Sequence, residues 1–185
     1  MADFTDILGR IQSQSFKRLI AAVWNEVPEV IKFLQNDYGI NPVIIGGLAV
    51  QHHGLTRMTE DLDLLISKLD YDKLVAEGKI KFGALKWKPG FQVDMVWEGR
   101  DGNPNPESVR DGSSVFPTLQ GLICLKLISG RMKDQSDVVE LIKIHNFDPG
   151  VKSDVLASDL LDTNRRDLFN RLWGVADEET NKEDK

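Results

Sequence analysis

Val43-Ile44-Ile45-Gly46-Gly47-Leu48-Ala49-Val50, then Gly54, Arg57 and Thr59, then Asp61-Leu62-Asp63-Leu64-Leu65-Ile66: this stretch decides the fold. An apolar run ends in two glycines, a helix-like segment follows, and a second apolar run carries acids at alternate positions. Side chains alternate across a strand, so Asp61 and Asp63 share one face, roughly 6–7 Å apart at about 3.3 Å per residue. Carboxylates placed so repel each other unless a cation lies between them. A hard, oxygen-ligated ion such as Mg²⁺ suits them, because it takes one or two carboxylates together with substrate phosphates. The Gly46-Gly47 turn leaves backbone N–H groups free at a helix start, a favourable place for phosphate.

Working outward, apolar residues at helical spacing (Phe16, Leu19, Ile20, Val23, then Val27, Val30, Ile31, Leu34) predict two helices over 15–37, with Pro28 opening the second. Asn41-Pro42 leads into a strand at 43–45, a helix covers 46–53, and a strand covers 62–66. Asp70 is placed to cap a helix running to Glu77. Two further strands fit 79–86 and 91–97, joined by Lys88-Pro89-Gly90, and the second carries Asp94 at its centre. Residues 101–114, rich in Gly, Pro, Asn and Ser, read as a long loop, and helices are expected at 118–129, 134–145 and 153–173. The fold class is α/β (α+β): a small mixed sheet flanked by helices, with a helical C-terminal part. The divisions are 1–115 for the α/β core with its N-terminal helices, 116–175 for the helical part, and 176–185 for a flexible acidic tail.

The 185 residues suffice for one sizeable core, and 41% hydrophobic with 28% charged residues is ordinary for a globular protein. The last nine residues hold five acids and two lysines, a net −3 of the overall −6, leaving −3 for the other 176. That balance does not announce nucleic-acid binding, which usually shows as a basic face, and it leaves room for a local basic groove. Cys124 reads as a buried small hydrophobe in a reducing compartment, and three histidines with one cysteine make no zinc spacing. With no signal-like segment and no apolar run long enough for a bilayer, a cytoplasmic protein without membrane partner is expected.

An acid inside an apolar strand is costly unless paired or metal-bound. The hairpin can bring Asp94 beside Asp61 and Asp63, completing a three-carboxylate, two-metal site. Other residues keep two readings. Arg57 either pairs with a carboxylate to hold its loop or meets phosphate; Lys126, among Ile123, Leu125, Leu127 and Ile128, either snorkels to the surface or meets a triphosphate. Asp134 and Asp137 suit a helix start. His52 and His53 read as helix-end residues, Arg165, Arg166 and Arg171 as a solvated face, and the four tryptophans as packing.

Gly46-Gly47, Arg57, Thr59, Asp61-Leu62-Asp63 and the later Asp94 resemble the nucleotidyltransferase fold of the DNA polymerase β superfamily, in which a glycine pair precedes Asp-x-Asp and a third Asp completes the metal site. The string looks most like the AbiEii-like branch, which includes toxin components of bacterial toxin–antitoxin systems. Leu125-Lys126-Leu127, then Arg131-Met132-Lys133-Asp134 and Asp137, resemble that branch's later motifs. The resemblance implies transfer of a nucleoside monophosphate from NTP to RNA (a tRNA end), a protein or a small molecule, with Mg²⁺ or Mn²⁺. Asp61, Asp63 and Asp94 would be the catalytic and metal-binding residues. Gly46, Gly47, Arg57, Thr59 and Lys126 would bind nucleotide, and an antitoxin would be a partner. Two other functions fit the residues: a catalytically idle nucleotide- or partner-binding module, and a structural interaction protein using the helical part.

Overall fold

The computed structural model describes residues 23–183. The expected stripe residues Phe16, Leu19 and Ile20 lie outside them. The chain is mixed α/β, with a five-stranded mixed sheet and a helical C-terminal part. Helix α1 covers 23–38 and continues through Pro28. Pro28 is exposed, and the buried stripe Val23, Val27, Val30, Ile31 and Leu34 carries the helix past it. Strand β1 (Val43–Ile45), helix α2 (Gly46–His52) and strand β2 (Asp61–Ile66) follow the expected order.

Helix α3 (Lys68–Ala76) begins earlier than expected. Ser67, not Asp70, is its cap: the Ser67 hydroxyl accepts from the Asp70 N–H at 3.1 Å and donates to the Asp70 carboxylate at 2.7 Å. This pairing resembles half of a capping box: the Asp70 carboxylate takes the Ser67 hydroxyl rather than the Ser67 backbone N–H. The expected strand at 79–86 is instead a tight hairpin, β3 (Ile80–Lys81) and β4 (Ala84–Leu85), turning at Phe82-Gly83. A glycine inside a strand pattern marked that break. The turn at 88–90 then leads into β5 (Gln92–Trp97).

The sheet order is β1-β2-β5-β4-β3, with β2 and β5 parallel and the other neighbours antiparallel. Leu62, Leu64, Ile66, Val93 and Met95 point from one face into the core beneath α1 and α3. The alternate residues face the other way, where Leu65 and Ile45 meet Leu125. The carboxylates therefore stand on the face opposite the main core, towards the helical part. The long segment after β5 contains short 3-10 turns at Arg100–Gly102 and Pro106–Ser108, and covers the β1 edge through Ile44 N–H to the Val115 carbonyl at 2.7 Å. Arg110 ties it down by donating to the carbonyls of Asn41 (2.7 Å) and Pro42 (3.2 Å).

Helices α4 (Leu119–Ser129) and α5 (Met132–Ile144) stand close to expectation. The single helix expected at 153–173 is two: α6 (Pro149–Ala157) and α7 (Thr163–Glu183). Asp148 caps α6 ahead of Pro149 at its first position, and Asp162 accepts from the Arg165 N–H at the start of α7. Arg166 is not part of a solvated face: half-buried, it donates to the Ser158 carbonyl at 2.9 Å across the break. Helix α7 runs to Glu183, through the segment expected to be a frayed tail, and Lys143 of α5 holds it by pairing with Glu179 at 2.5 Å. The helical part shares one core, including Leu122, Val138 and Phe169, with Ala49 and Val50 of α2. Among the described residues no helix is long and apolar enough to cross a membrane.

Candidate metal centre and its clefts

Asp63 and Asp94 are register partners on the parallel pair β2–β5, and Asp61 stands two residues earlier on the same face of β2. One oxygen from each of the three carboxylates lies within 4.8 Å of the others. The hairpin secures this arrangement, since Ala84 pairs with Asp94 and the Met95 N–H donates to the Gly83 carbonyl at 2.8 Å.

Each carboxylate has its own neighbourhood. The buried Thr59 hydroxyl donates to Asp61 Oδ1 at 3.0 Å. The Gln92 amide donates to both Asp94 oxygens, at 2.9 and 3.0 Å. Asp63 is half-buried, and burial above all, then the charges of Asp61 and Asp94, pushes its carboxyl up to about 6 from 3.8. Lys126 and Arg131 oppose that shift only partly. An all-oxygen set of three clustered acids, one destabilised by its neighbours' charge, fits a hard cation. The group can hold a metal ion.

The glycine pair is explained by these side chains. A Cβ on Gly46 would sit 1.8 Å from Asp63 Oδ2, and Gly46 has φ +67°, so a side chain there is both blocked and strained. A Cβ on Gly47 would lie 2.6 Å from Thr59 Cβ and Oγ1. Thr59 thus packs under the turn and holds Asp61 at the wall of a cleft.

The later motif is buried beneath the carboxylates. Lys126 neither snorkels nor stands free: its side chain is 4% exposed, and its ammonium donates to Asp134 and Asp137, each at 2.7 Å. Asp137 also pairs with Arg57, so the carboxylate partner of Arg57 comes from α5. Ser129 Oγ (2.7 Å) and Arg131 Nε (2.6 Å) donate to Asp134. Burial alone would raise the Asp134 carboxyl, but these donors and Lys126 override it and hold it down at about 2. Asp134 and Asp137 therefore do more than decorate a helix start. They bind α4, α5 and the loop bearing Arg57 and Thr59 into one unit. Arg131 keeps its side chain 67% exposed, and Lys133 is exposed beside it.

Two clefts meet at the carboxylates. One of about 550 Å³ runs from Asp63 and Asp94 between Val96 and the α4 residues Leu122, Leu125 and Ile128, out to Phe82, Arg100 and Asn103. The other, about 380 Å³, is bounded by Gly46, Gly47, Arg57, Lys133 and the three acids. Arg131 lines both. All sequence-predicted site residues thus fall in or directly beneath one region. Gln92, Ser129 and Phe82 belong to it without having been singled out; only the alternation of Gln92 with Asp94 pointed to any of them.

His52 and His53 stand at the end of α2, away from the carboxylates' clefts. His52 stacks on Phe116 at 4.0 Å, and His53 lies 3.0 Å from the Pro117 carbonyl, with burial lowering its pKa. No known protein-family model matches this chain, and no curated protein shows significant similarity to it.

Proposed function

We propose that this chain is a metal-dependent nucleotidyltransferase, with the fold of the polymerase β superfamily, which moves a nucleoside monophosphate from NTP to an acceptor hydroxyl. The observation that carries this is the register pairing of Asp63 with Asp94 beside Asp61, three carboxylates on one sheet face at the junction of two clefts. Asp61, Asp63 and Asp94 would hold Mg²⁺ or Mn²⁺, which when bound lowers the pKa of an attacking hydroxyl and neutralises charge on the leaving phosphates. Thr59 and Gln92 fix the orientation of two of these carboxylates, and Gly46 leaves the third its space. Arg131 and Lys133, exposed on the narrower cleft, supply positive charge towards the β- and γ-phosphates. Lys126, committed to Asp134 and Asp137, positions Arg131 through Asp134. The acceptor oxygen forms a bond to the α-phosphorus as the bond to pyrophosphate breaks, and the hydroxyl proton is released to solvent.

The acceptor is RNA, a protein or a small molecule. A role as the toxin of a toxin–antitoxin pair rests on the motif resemblance alone. The test is incubation with each α-labelled NTP, Mg²⁺ and total RNA or protein, alongside calorimetry of NTP with Mg²⁺ or with chelator. Label transfer that is lost in Asp94→Asn supports the assignment. Absence of NTP binding in every condition overturns it.

A further inference from the structure

Phe82 is explained neither by the core nor by the backbone. Its side chain is 97% exposed at the hairpin tip. It has φ +53°, and Gly83 follows with φ +83°, so both central residues of the two-residue turn are left-handed. Such turns favour Asn, Asp or Gly at the first position, and a bulky side chain there is strained. The ammonium of the exposed Lys81 stands 5.2 Å from the Phe82 ring centroid, a solvent-facing contact that a ligand can displace or share. A strained aromatic outside the core is a candidate for a ligand contact. Its place is specific: it rims the wider cleft, on the hairpin whose next residues pair directly with the Asp94 strand.

Resting on the nucleotidyltransferase reading above, we infer that Phe82 is the stacking platform for the base of the donor nucleotide. Gly46 and Arg131 line both clefts, where they meet at the carboxylates. The narrower one adds Gly47, Arg57 and Lys133, which suit phosphates. The wider one adds the apolar wall of Val96, Leu122, Leu125 and Ile128, with Arg100, Asp101 and Asn103 as polar groups towards its mouth. Its volume of about 550 Å³ is of the size that small-molecule ligands occupy. A nucleotide with its α-phosphate at Asp63 and Asp94 thus lays its nucleoside in the wider cleft, where the exposed Phe82 ring offers a π-face. Stacking accepts any base, so Phe82 contributes affinity, and base choice falls to polar groups such as Asn103.

Titration of each Mg²⁺–NTP, and of Mg²⁺–tripolyphosphate as a probe without a base, tests this on wild type, Phe82→Ala, Phe82→Gly and Phe82→Trp. Phe82→Ala and Phe82→Gly should weaken every NTP by about tenfold or more while leaving tripolyphosphate unchanged. Phe82→Trp should keep NTP affinity. Glycine suits the turn, so Phe82→Gly should melt no lower than wild type, which separates lost stacking from unfolding. Unchanged NTP affinity in Phe82→Ala overturns the inference and leaves the nucleotidyltransferase reading standing. So does an equal loss of tripolyphosphate, or a loss confined to a single-stranded RNA oligonucleotide, which would assign the ring to the acceptor. Wild type that binds no NTP sinks both.

Discussion

Asp63→Asn separates a metal-holding acid from a structural one. The folded protein holds Asp63 near pKa about 6 against 3.8 for the free group, because burial and two neighbouring acids disfavour its charge. An acid whose pKa is raised on folding costs stability: the cost is absent below the unfolded value, grows from pH 3.8 to about 6, and is complete above that. At about 1.4 kcal/mol per pH unit, the cost reaches about 3 kcal/mol at pH 7 without metal. Asparagine has nearly the same shape and no charge. The mutant should therefore be more stable than wild type by up to about 3 kcal/mol in chelator at pH 7, or about 6–12 °C in melting temperature for a chain of this size. The gap should close as pH approaches 4. Adding Mg²⁺ should raise the wild-type melting temperature and leave the mutant's almost unmoved, because a ligand stabilises only the form that binds it. Denaturant melts of both proteins from pH 4 to 8, with chelator or Mg²⁺, measure all of this. A mutant less stable than wild type in chelator at pH 7, or a gap independent of pH, would refute the assignment of Asp63 as a strained carboxylate awaiting a cation.

Gly46→Ala places a Cβ 1.8 Å from Asp63 Oδ2 at φ +67°, so it should abolish Mg²⁺-induced stabilisation, read by differential scanning calorimetry with and without the ion. Lys126→Ala should destabilise the fold by about 3–5 kcal/mol, because it strands the buried acids Asp134 and Asp137. Arg131→Ala, at a side chain 67% exposed, should instead leave most of the stability and weaken triphosphate binding; melts paired with NTP titration distinguish the two. Asp134, held at about 2, contributes stability that is present above 3.8 and lost as pH falls through about 2. Asp134→Asn should therefore lower stability at pH 7, and its deficit should shrink in acid unfolding experiments carried towards pH 2.

What could be read from the residues follows from which interactions are local. The strand at Asp61–Ile66 shows in the alternation of acids with Leu62 and Leu64, because a strand's two-residue period writes itself into the chain. The same rule placed Asp94 on a strand face, and the pattern around Gly46-Gly47 located the turn. Caps were not legible: the one cap expected, Asp70, gave way to Ser67, and Asp148 and Asp162 stand among nearby polar residues of equal capping ability, so helix boundaries shifted and one expected helix proved to be two. Tertiary structure alone decided that Asp63 lies opposite Asp94 rather than one residue out of register, because pairing across 31 positions depends on which faces of β2 and β5 bury their leucines, valine and methionine. It also turned Lys126 from a residue with two readings into the centre of a buried network. A lysine in an apolar helix carries no local sign of its partners, and Asp134 and Asp137 meet it only once α4 and α5 pack together.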